Sequence, residues 1–201
     1  QNYSGSVKVP VLVVRLEDIQ AQGIEGWKDL TQATAKMAWD ADVFSPGTSH
    51  NLAAFIPGQD HEKAIIISAH IDSANGPGAM DDGSGSVILM EIAEILNARQ
   101  QLPSHDLYLV WYGSEEIGLY GSSHFVNTHT DLLARTIAML QIDCLVRPLD
   151  TLEAGLMLNY RLNPGSEAWA DYLRETASQL GYETSSIKMP LASDNGPYTG
   201  Y

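Results

Sequence analysis

The chain has 201 residues, of which 44% are apolar and 18% are charged, and these values predict one globular domain of average core size. No apolar run approaches the roughly 20 residues that a membrane-spanning helix needs, so no membrane span is expected. The net charge of -14 comes from 25 acidic and 11 basic side chains that form no basic cluster, which argues against a nucleic-acid partner.

Apolar segments and helical patterns alternate along the chain. Close to the amino terminus, residues 7–16 are apolar and β-branched, and residues 34–43 alternate weakly, which is typical of the edge of a sheet. A continuous apolar run then begins at Lys63 and leads into the motif HIDS at residues 70–73. Such a run predicts a central strand that is covered on both faces.

Residues 86–99 have helical periodicity. Apolar residues occur nearly all round this helix, and the exceptions fall on one stripe, so we expect a helix that is mostly buried between layers. The exceptions are Glu91, Glu94 and Asn97 or Ala98. The alternation then continues with further elements. Strands are predicted at residues 107–112, at 136–142 and near 156–160, and helices are predicted near 122–127 and 131–135.

The last clear helix is predicted to begin at Ser166, which is a suitable cap residue, and to stop at Gly181. Alternating strands and helices indicate an α/β layered domain. The apolar face of this last helix is expected to consist of Trp169, Tyr172, Leu173, Thr176, Ala177 and Leu180.

Acidic residues and one histidine occur in four groups, each of which follows or flanks an apolar segment. In open α/β sheets, ligands bind outside the carboxyl ends of the strands, so we expect these groups to converge on one crevice. Buried carboxylates are costly unless a cation or hydrogen-bond donors meet them. The four groups are His70 with Asp72, Asp81 with Asp82, Glu115 with Glu116, and Asp143.

The chemistry of these groups favours a metal site. His70 and Asp72 lie two positions apart on the same side of a strand, so Asp72 can accept a hydrogen bond from the imidazole and orient it. A histidine with several carboxylates suits zinc or another borderline divalent metal, and a shared carboxylate allows a two-metal site. Of the adjacent pair Glu115 and Glu116, one can bind metal while the other acts as a general base.

Five motifs closely resemble the zinc-dependent exopeptidase family that includes bacterial leucyl aminopeptidases and glutamate carboxypeptidase. They are HIDS, GAMDDGSGSVILMEIAEIL, SEEIGLYGSSHF, QID and SDNGPY, within residues 49–201. The resemblance implies a three-layer α/β/α sandwich with a mixed, mainly parallel central sheet, in a single catalytic domain over residues 1–201. Residues 1–45 are expected to include the end of a protease-associated insert domain.

The resemblance also implies a role for each site residue. Glu115 would take a proton from a metal-bridging water as it attacks the peptide carbonyl, and would pass it to the leaving amine. Asp72 would orient His70. The implied metal ligands are His70, Asp81 and Asp143 for one zinc, with Asp81 bridging to a second zinc that Glu116 also binds.

The family takes the last ligand of the second zinc from a histidine that follows the stretch corresponding to SDNGPY. This chain ends at Tyr201 before such a segment, so the domain is expected to be truncated at its carboxyl terminus. A complete site would hold two zinc ions. For the chain as given, we expect at most one tightly held ion, on the His70 side, and little or no peptidase activity.

The expected function is that of a zinc-dependent aminopeptidase acting on peptides with a free N-terminus. Asp194 and Tyr198, in the loop at residues 189–201, are expected to contribute to substrate binding. The alternatives are a carboxypeptidase or a glutaminyl cyclase on the same fold, or a receptor or binding module without catalysis. An extracellular or periplasmic location is expected from the resemblance alone.

Overall fold

The computed structural model describes residues 16–25, 34, 47–74, 76–99, 102–145, 156–160, 165–188 and 193–200. The chain divides into two compact units, residues 1–46 and 47–201. The described part of the first unit contains one short helix, α1 (Leu16–Gln20). The strand predicted at residues 7–16 and the edge segment at 34–43 lie almost entirely outside the described residues. The insert-domain assignment stays a prediction.

A four-stranded sheet forms the centre of the second unit. Its order is β1-β3-β2-β4, with β1 antiparallel to β3 and the other neighbours parallel, which confirms the predicted mixed, mainly parallel sheet. The strands are β1 (Leu52–Ile56), β2 (Asp60–His70), β3 (His105–Tyr112) and β4 (Thr136–Gln141). The helices that follow them are α2 (Gly83–Arg99), α3 (Tyr120–Thr128) and α4 (Thr130–Arg135).

Side chains of the central strands alternate between the two faces of the sheet, and each face has its own core. On one face, Ile66 and Val110 belong to a cluster with Phe125 of α3. On the other face, Ala69 packs in a cluster with Leu89 of α2. Since helices cover both faces, this part of the chain has the predicted three-layer α/β/α arrangement.

The helix α2 is less buried than its sequence predicted. Only a narrow stripe faces the sheet, with Leu89 fully buried, whereas Val87 and Met90 are 63% and 58% exposed. The expectation of burial between layers was wrong because α2 flanks one face of the sheet and, among the described residues, no second layer covers its outer side. Glu91 and Glu94 are exposed as expected.

A second, two-stranded sheet pairs β5 (Leu156–Tyr160) in parallel with β6 (Thr184–Lys188), and α5 (Ser166–Gln179) contacts both strands. The prediction that Ser166 caps α5 was wrong, because Ser166 is already helical and Gly165 holds the cap position with φ 91°. Gly181 ends the helix as predicted, with φ 84°.

The buried face of α5 also differs from the prediction. Ala170 and Ala177 are buried, whereas Tyr172 and Leu180 are 60% and 71% exposed. The two small residues allow the helix to lie close to its neighbours, and the larger side chains project outward. No helix in the described part of the chain is long and apolar enough to cross a membrane.

Candidate metal and catalytic site

The predicted site residues lie at the carboxyl ends of the parallel strands. His70 is the last residue of β2, Asp143 follows β4, and Glu115 follows β3. Asp81 lies in the turn that leads into α2. This edge of the sheet is where ligands of open α/β folds bind, so the topology brings the groups to a functional position.

Three of the four predicted metal ligands meet around the imidazole of His70. The Nε2 atom lies 3.0 Å from Oδ1 of Asp81 and 3.8 Å from Oδ1 of Asp143. One candidate ligand atom from each of the three residues lies within 4.8 Å of the others. His70 is 1% exposed, whereas the side chains of Asp81 and Asp143 are 47% and 26% exposed, so the group opens toward solvent on its carboxylate side.

Asp82 holds the segments that carry these three residues. Its side chain is 1% exposed and accepts hydrogen bonds from three main-chain N–H groups. They belong to His70 at 3.1 Å, Gly85 at 3.0 Å and Cys144 at 3.3 Å. Asp82 therefore ties the end of β2, the start of α2 and the segment after β4 together, and a negative charge near the start of a helix is itself favourable.

Gly85 is required at its position by the closeness of this packing. A Cβ atom there would lie 2.6 Å from both carboxylate oxygens of Asp82 and 2.6 Å from the carbonyl oxygen of Ile142. These distances are too short for any side chain. The second glycine of the DDGSG motif thus allows α2 to begin directly against Asp82 and the end of β4.

Asp72 connects His70 to the loop that carries Glu115 and Glu116. Its carboxylate accepts hydrogen bonds from the main-chain N–H groups of Glu115 at 3.0 Å and Glu116 at 3.1 Å. The Nδ1 atom of His70 lies 3.1 Å from the main-chain oxygen of Asp72 and 3.6 Å from its Oδ1. Because a carbonyl can only accept, the closer contact requires a proton on Nδ1, so Nε2, which faces Asp81 and Asp143, is the nitrogen that would bind a metal.

The two glutamates face different partners. Glu116 accepts a hydrogen bond from the main-chain N–H of Ala74 at 2.9 Å and is not part of the three-residue group, so its role as a ligand stays a prediction. The main-chain oxygen of Glu115 accepts from the N–H groups of Gly118 and Leu119, both at 2.9 Å, in a tight turn. The carboxylate of Glu115 is half-buried among other acids.

The electrostatics of the site follow from this crowding. Burial raises the pKa of Glu115 to about 7, with nearby carboxylates adding to the effect and His70 opposing it. Burial alone would lower the pKa of His70, but interaction with Asp143 and the charges of Asp82 and Glu115 outweigh it and raise the value to about 10. The acids thus make a strongly negative environment that a cation stabilises.

Asp194 and Tyr198, which the sequence assigned to substrate binding, are engaged inside the molecule. Asp194 is fully buried and accepts a hydrogen bond from Ser122 of α3 at 2.5 Å. The hydroxyl of Tyr198 shares a hydrogen bond with that of Tyr112, and its ring packs against the core of that face. Their role in substrate binding stays a prediction, and residues 189–192 lie outside the described part.

Several positions that shape the site could not be predicted from the sequence. The sequence grouped Asp82 with Asp81 among the candidate site acids, but nothing in it showed that Asp82 reaches β2 and the segment after β4. Ser122 and Asp194 are 72 positions apart, and no local pattern links them. Contacts of this kind depend on tertiary packing.

The comparison with known families decides the assignment. Residues 51–200 match the model of peptidase family M28. The chain belongs to peptidase family M28. The match covers the sheet, α2 and every predicted site residue, so the family assignment and the geometry described above concern the same part of the M28 chain.

Curated relatives agree with this assignment. The chain is 29% identical over 206 residues to aminopeptidase YwaD of Bacillus subtilis, covering 98% of this chain and 42% of the relative. It is 34% identical over 122 residues to leucine aminopeptidase 1 of Grosmannia clavigera, covering 55% of this chain and 30% of that protein. The M28 chain thus spans at most about two-fifths of the length of these relatives.

Solved structures show the same relationship. BSAP, a zinc aminopeptidase from Bacillus subtilis, matches with a TM-score of 0.66 and 26% identity over 77% of this chain and 38% of its own. LapA aminopeptidase from Legionella pneumophila matches with a TM-score of 0.63 and 27% identity over 75% of this chain and 40% of its own. A glutaminyl cyclase from an Acidobacteriales bacterium, at 24% identity and a TM-score of 0.58, shares the fold.

Proposed function

We propose that this M28 chain carries the metal-binding and catalytic residues of a zinc-dependent aminopeptidase that removes N-terminal residues from peptides. One observation carries the proposal. A buried imidazole nitrogen and two partly exposed carboxylates meet at the carboxyl ends of the parallel strands. Relatives of this chain are named aminopeptidases, and a zinc aminopeptidase is among its structural neighbours.

The residues present fit zinc by the chemistry of their donor atoms. Zinc binds histidine nitrogen and carboxylate oxygen, and catalytic zinc sites commonly use three protein ligands and keep one position open. His70, Asp81 and Asp143 would supply such a set, and Glu116 would join Asp81 in holding a second ion. When bound, zinc supplies Lewis-acid polarisation and lowers the pKa of water toward neutrality.

Glu115 is the proposed general base. Its main chain is fixed by the carboxylate of Asp72, and its side chain lies among the acids at the edge of the sheet. In this position its carboxylate would accept the proton of the attacking water and then donate it to the leaving amine. One residue can perform both transfers because each uses the same carboxylate oxygen in turn.

Peptides with a free N-terminus are the proposed substrates. The crowded carboxylates attract a positively charged ammonium group, and the motifs that form the site contain no arginine or lysine that could bind a substrate carboxylate. A carboxypeptidase is therefore not favoured. The glutaminyl cyclase is similar in fold only, so this alternative has no support from the site.

The test is a peptidase assay on the full-length gene product with aminoacyl chromogenic substrates, with and without a chelator. Release of the chromogen from free aminoacyl substrates, its loss on chelation and its return with added zinc are expected. N-acetylated substrates serve as the control and should not be cleaved. Zinc-independent turnover, or equal cleavage of the acetylated substrates, would contradict an aminopeptidase.

A further inference from the structure

We propose that Asp194 is a positioning residue for Glu115 and acts through the hydroxyl of Ser122. The inference rests on the proposed function, because Glu115 is its proposed base. Asp194 belongs to the segment at residues 193–200, which ends in a short 3₁₀ helix (Pro197–Gly200) and packs against α3. The segment thus supports the loop of Glu115 from the side of α3.

Asp194 has the properties of a buried anchor. It is fully buried, and its Oδ1 accepts the hydroxyl hydrogen of Ser122 at 2.5 Å. Its Oδ2 is also buried and has no hydrogen-bond partner among the described residues. Burying a carboxylate with an unpaired oxygen opposes folding, so packing alone does not explain an aspartate here. Asp194 is close enough to Glu115 to help raise the pKa of that carboxyl.

Ser122 links this anchor to the turn that contains Glu115. Its hydroxyl also lies 3.3 Å from the main-chain oxygen of Leu119. The N–H of Leu119 donates to the main-chain oxygen of Glu115 at 2.9 Å, and the N–H of Tyr120 donates to the oxygen of Ser114 at 3.1 Å. Since the one hydroxyl hydrogen of Ser122 goes to Asp194, the link to Glu115 runs from Ser122 along the main chain at the start of α3 to Leu119, whose N–H is hydrogen-bonded to the main-chain oxygen of Glu115.

A second tether joins the same segment to the other side of the loop. Tyr198 is hydrogen-bonded to Tyr112, the last residue of β3, directly before the loop begins. The start of α3 also lies against that loop, since a Cβ atom on Gly121 would be 2.2 Å from the main-chain oxygen of Gly113. The loop of Glu115 is thus held at both ends, and Asp194 holds the end nearer the helix.

The first experiment measures amide hydrogen exchange in the 201-residue chain and needs no catalysis. Asp194→Ala and Ser122→Ala should each raise exchange several-fold in peptides that cover residues 113–124. Asp194→Asn retains an acceptor for Ser122 and should restore most of the protection. Thr136→Ala is the matched control, because it also removes a hydroxyl that donates a hydrogen bond, here to the main-chain oxygen of Leu132 in α4 at 2.9 Å. Thr136 is the first residue of β4, so it lies at the end of that strand away from the site.

The second experiment measures steady-state kinetics and zinc content in the full-length gene product. Asp194→Ala and Ser122→Ala should lower kcat by roughly 10- to 100-fold, with KM and zinc content little changed, because small displacements of a catalytic group have effects of this size. The double variant should lose no more than the single variants, since both remove one contact. The asparagine variant should recover part of the loss.

Unchanged exchange in both alanine variants would overturn the inference, as would fully additive losses in the double variant. If Asp194→Ala does not fold, Ser122→Ala decides the question from the other side of the same hydrogen bond. If the wild-type protein shows no peptidase activity, the proposed function fails, while the exchange experiment still decides whether Asp194 holds the loop of Glu115.

Discussion

Individual carboxylates in this site have separate tasks that their contacts distinguish. Asp81 and Asp143 direct oxygens toward Nε2 of His70. The carboxylate oxygens of Asp82 and Asp72 instead accept hydrogen bonds from main-chain N–H groups. The first pair is available to a cation. The second pair fixes the segments on which the proposed ligands and Glu115 lie, so the acids divide into proposed metal-binding groups and supporting groups.

The proposed role of Glu115 as general base predicts a specific kinetic defect. Glu115→Gln should keep the fold and the zinc content but lower kcat by about 10²- to 10⁴-fold, because the amide is nearly the same shape and cannot accept a proton. The measurement is kcat and KM in the full-length gene product beside metal analysis. Glu94→Gln on the exposed side of α2 is the control. Wild-type turnover of the Glu115 variant would remove it as the base.

The supporting role of Asp82 predicts a loss of stability. In Asp82→Asn, only one side-chain oxygen remains to accept from His70, Gly85 and Cys144, so at least one buried N–H group loses its partner. The expected loss in the free energy of unfolding is about 1–3 kcal/mol, measured by urea denaturation without zinc.

A matched variant controls for the loss of negative charge. Asp171→Asn removes an exposed carboxylate of α5 that pairs with Arg174, and such surface pairs contribute little to stability. It should change the free energy of unfolding much less than Asp82→Asn. Equal effects of the two variants would show that the three hydrogen bonds of Asp82 are not important for stability.

At the scale of the elements, local patterns predicted the strands and helices well. The apolar run up to His70 became the central strand because its composition requires cover on both faces. The burial of α2 was predicted wrongly because it depends on neighbours that a local pattern does not contain, and the cap of α5 was predicted one residue too late because Gly165, with φ 91°, takes that position. Convergence of the site groups was predictable, since parallel strands end at one edge of the sheet.

Asp106 joins several elements at the opposite end of the sheet. Its carboxylate accepts from the N–H of Gly58 at 2.9 Å and from Arg135 of α4 at 2.8 Å, and it contacts Nδ1 of His61 at 2.7 Å. The hydrogen bond from Gly58 is the main cause that lowers the pKa of Asp106 to about 2, with His61 and Arg135 adding to it and burial opposing it. Asp106 thus links β3 to β2 and α4.

The lowered pKa predicts how stability depends on pH. A folded-state pKa below the ordinary value of about 4 means that the ionised group stabilises the fold above pH 4, and that this contribution is lost as pH falls toward 2. Asp106→Asn should therefore be less stable at neutral pH and lose less stability between pH 4 and 2. Thermal unfolding across this range, with the exposed Asp131→Asn as control, measures the difference; parallel curves for wild type and Asp106→Asn would contradict it.

At the scale of the molecule, the sheet has two ends with different electrostatic organisation. At the carboxyl end of the strands, acids gather around one histidine, while at the other end Arg135 and His61 surround Asp106. A cation from outside would stabilise the negative end, whereas Asp106 at the opposite end is paired with Arg135 of the same chain. The proposed peptidase chemistry belongs to the negative end, where His70, Asp81 and Asp143 meet.

The most direct test of this account is a crystal structure of the chain grown with zinc, with anomalous diffraction measured at the zinc absorption edge. We expect an anomalous peak at about 2.0–2.2 Å from Nε2 of His70 and from carboxylate oxygens of Asp81 and Asp143. A His70→Ala crystal should lack this peak. Zinc bound elsewhere, with none at His70 in a chain that keeps the same fold, would contradict the central claim.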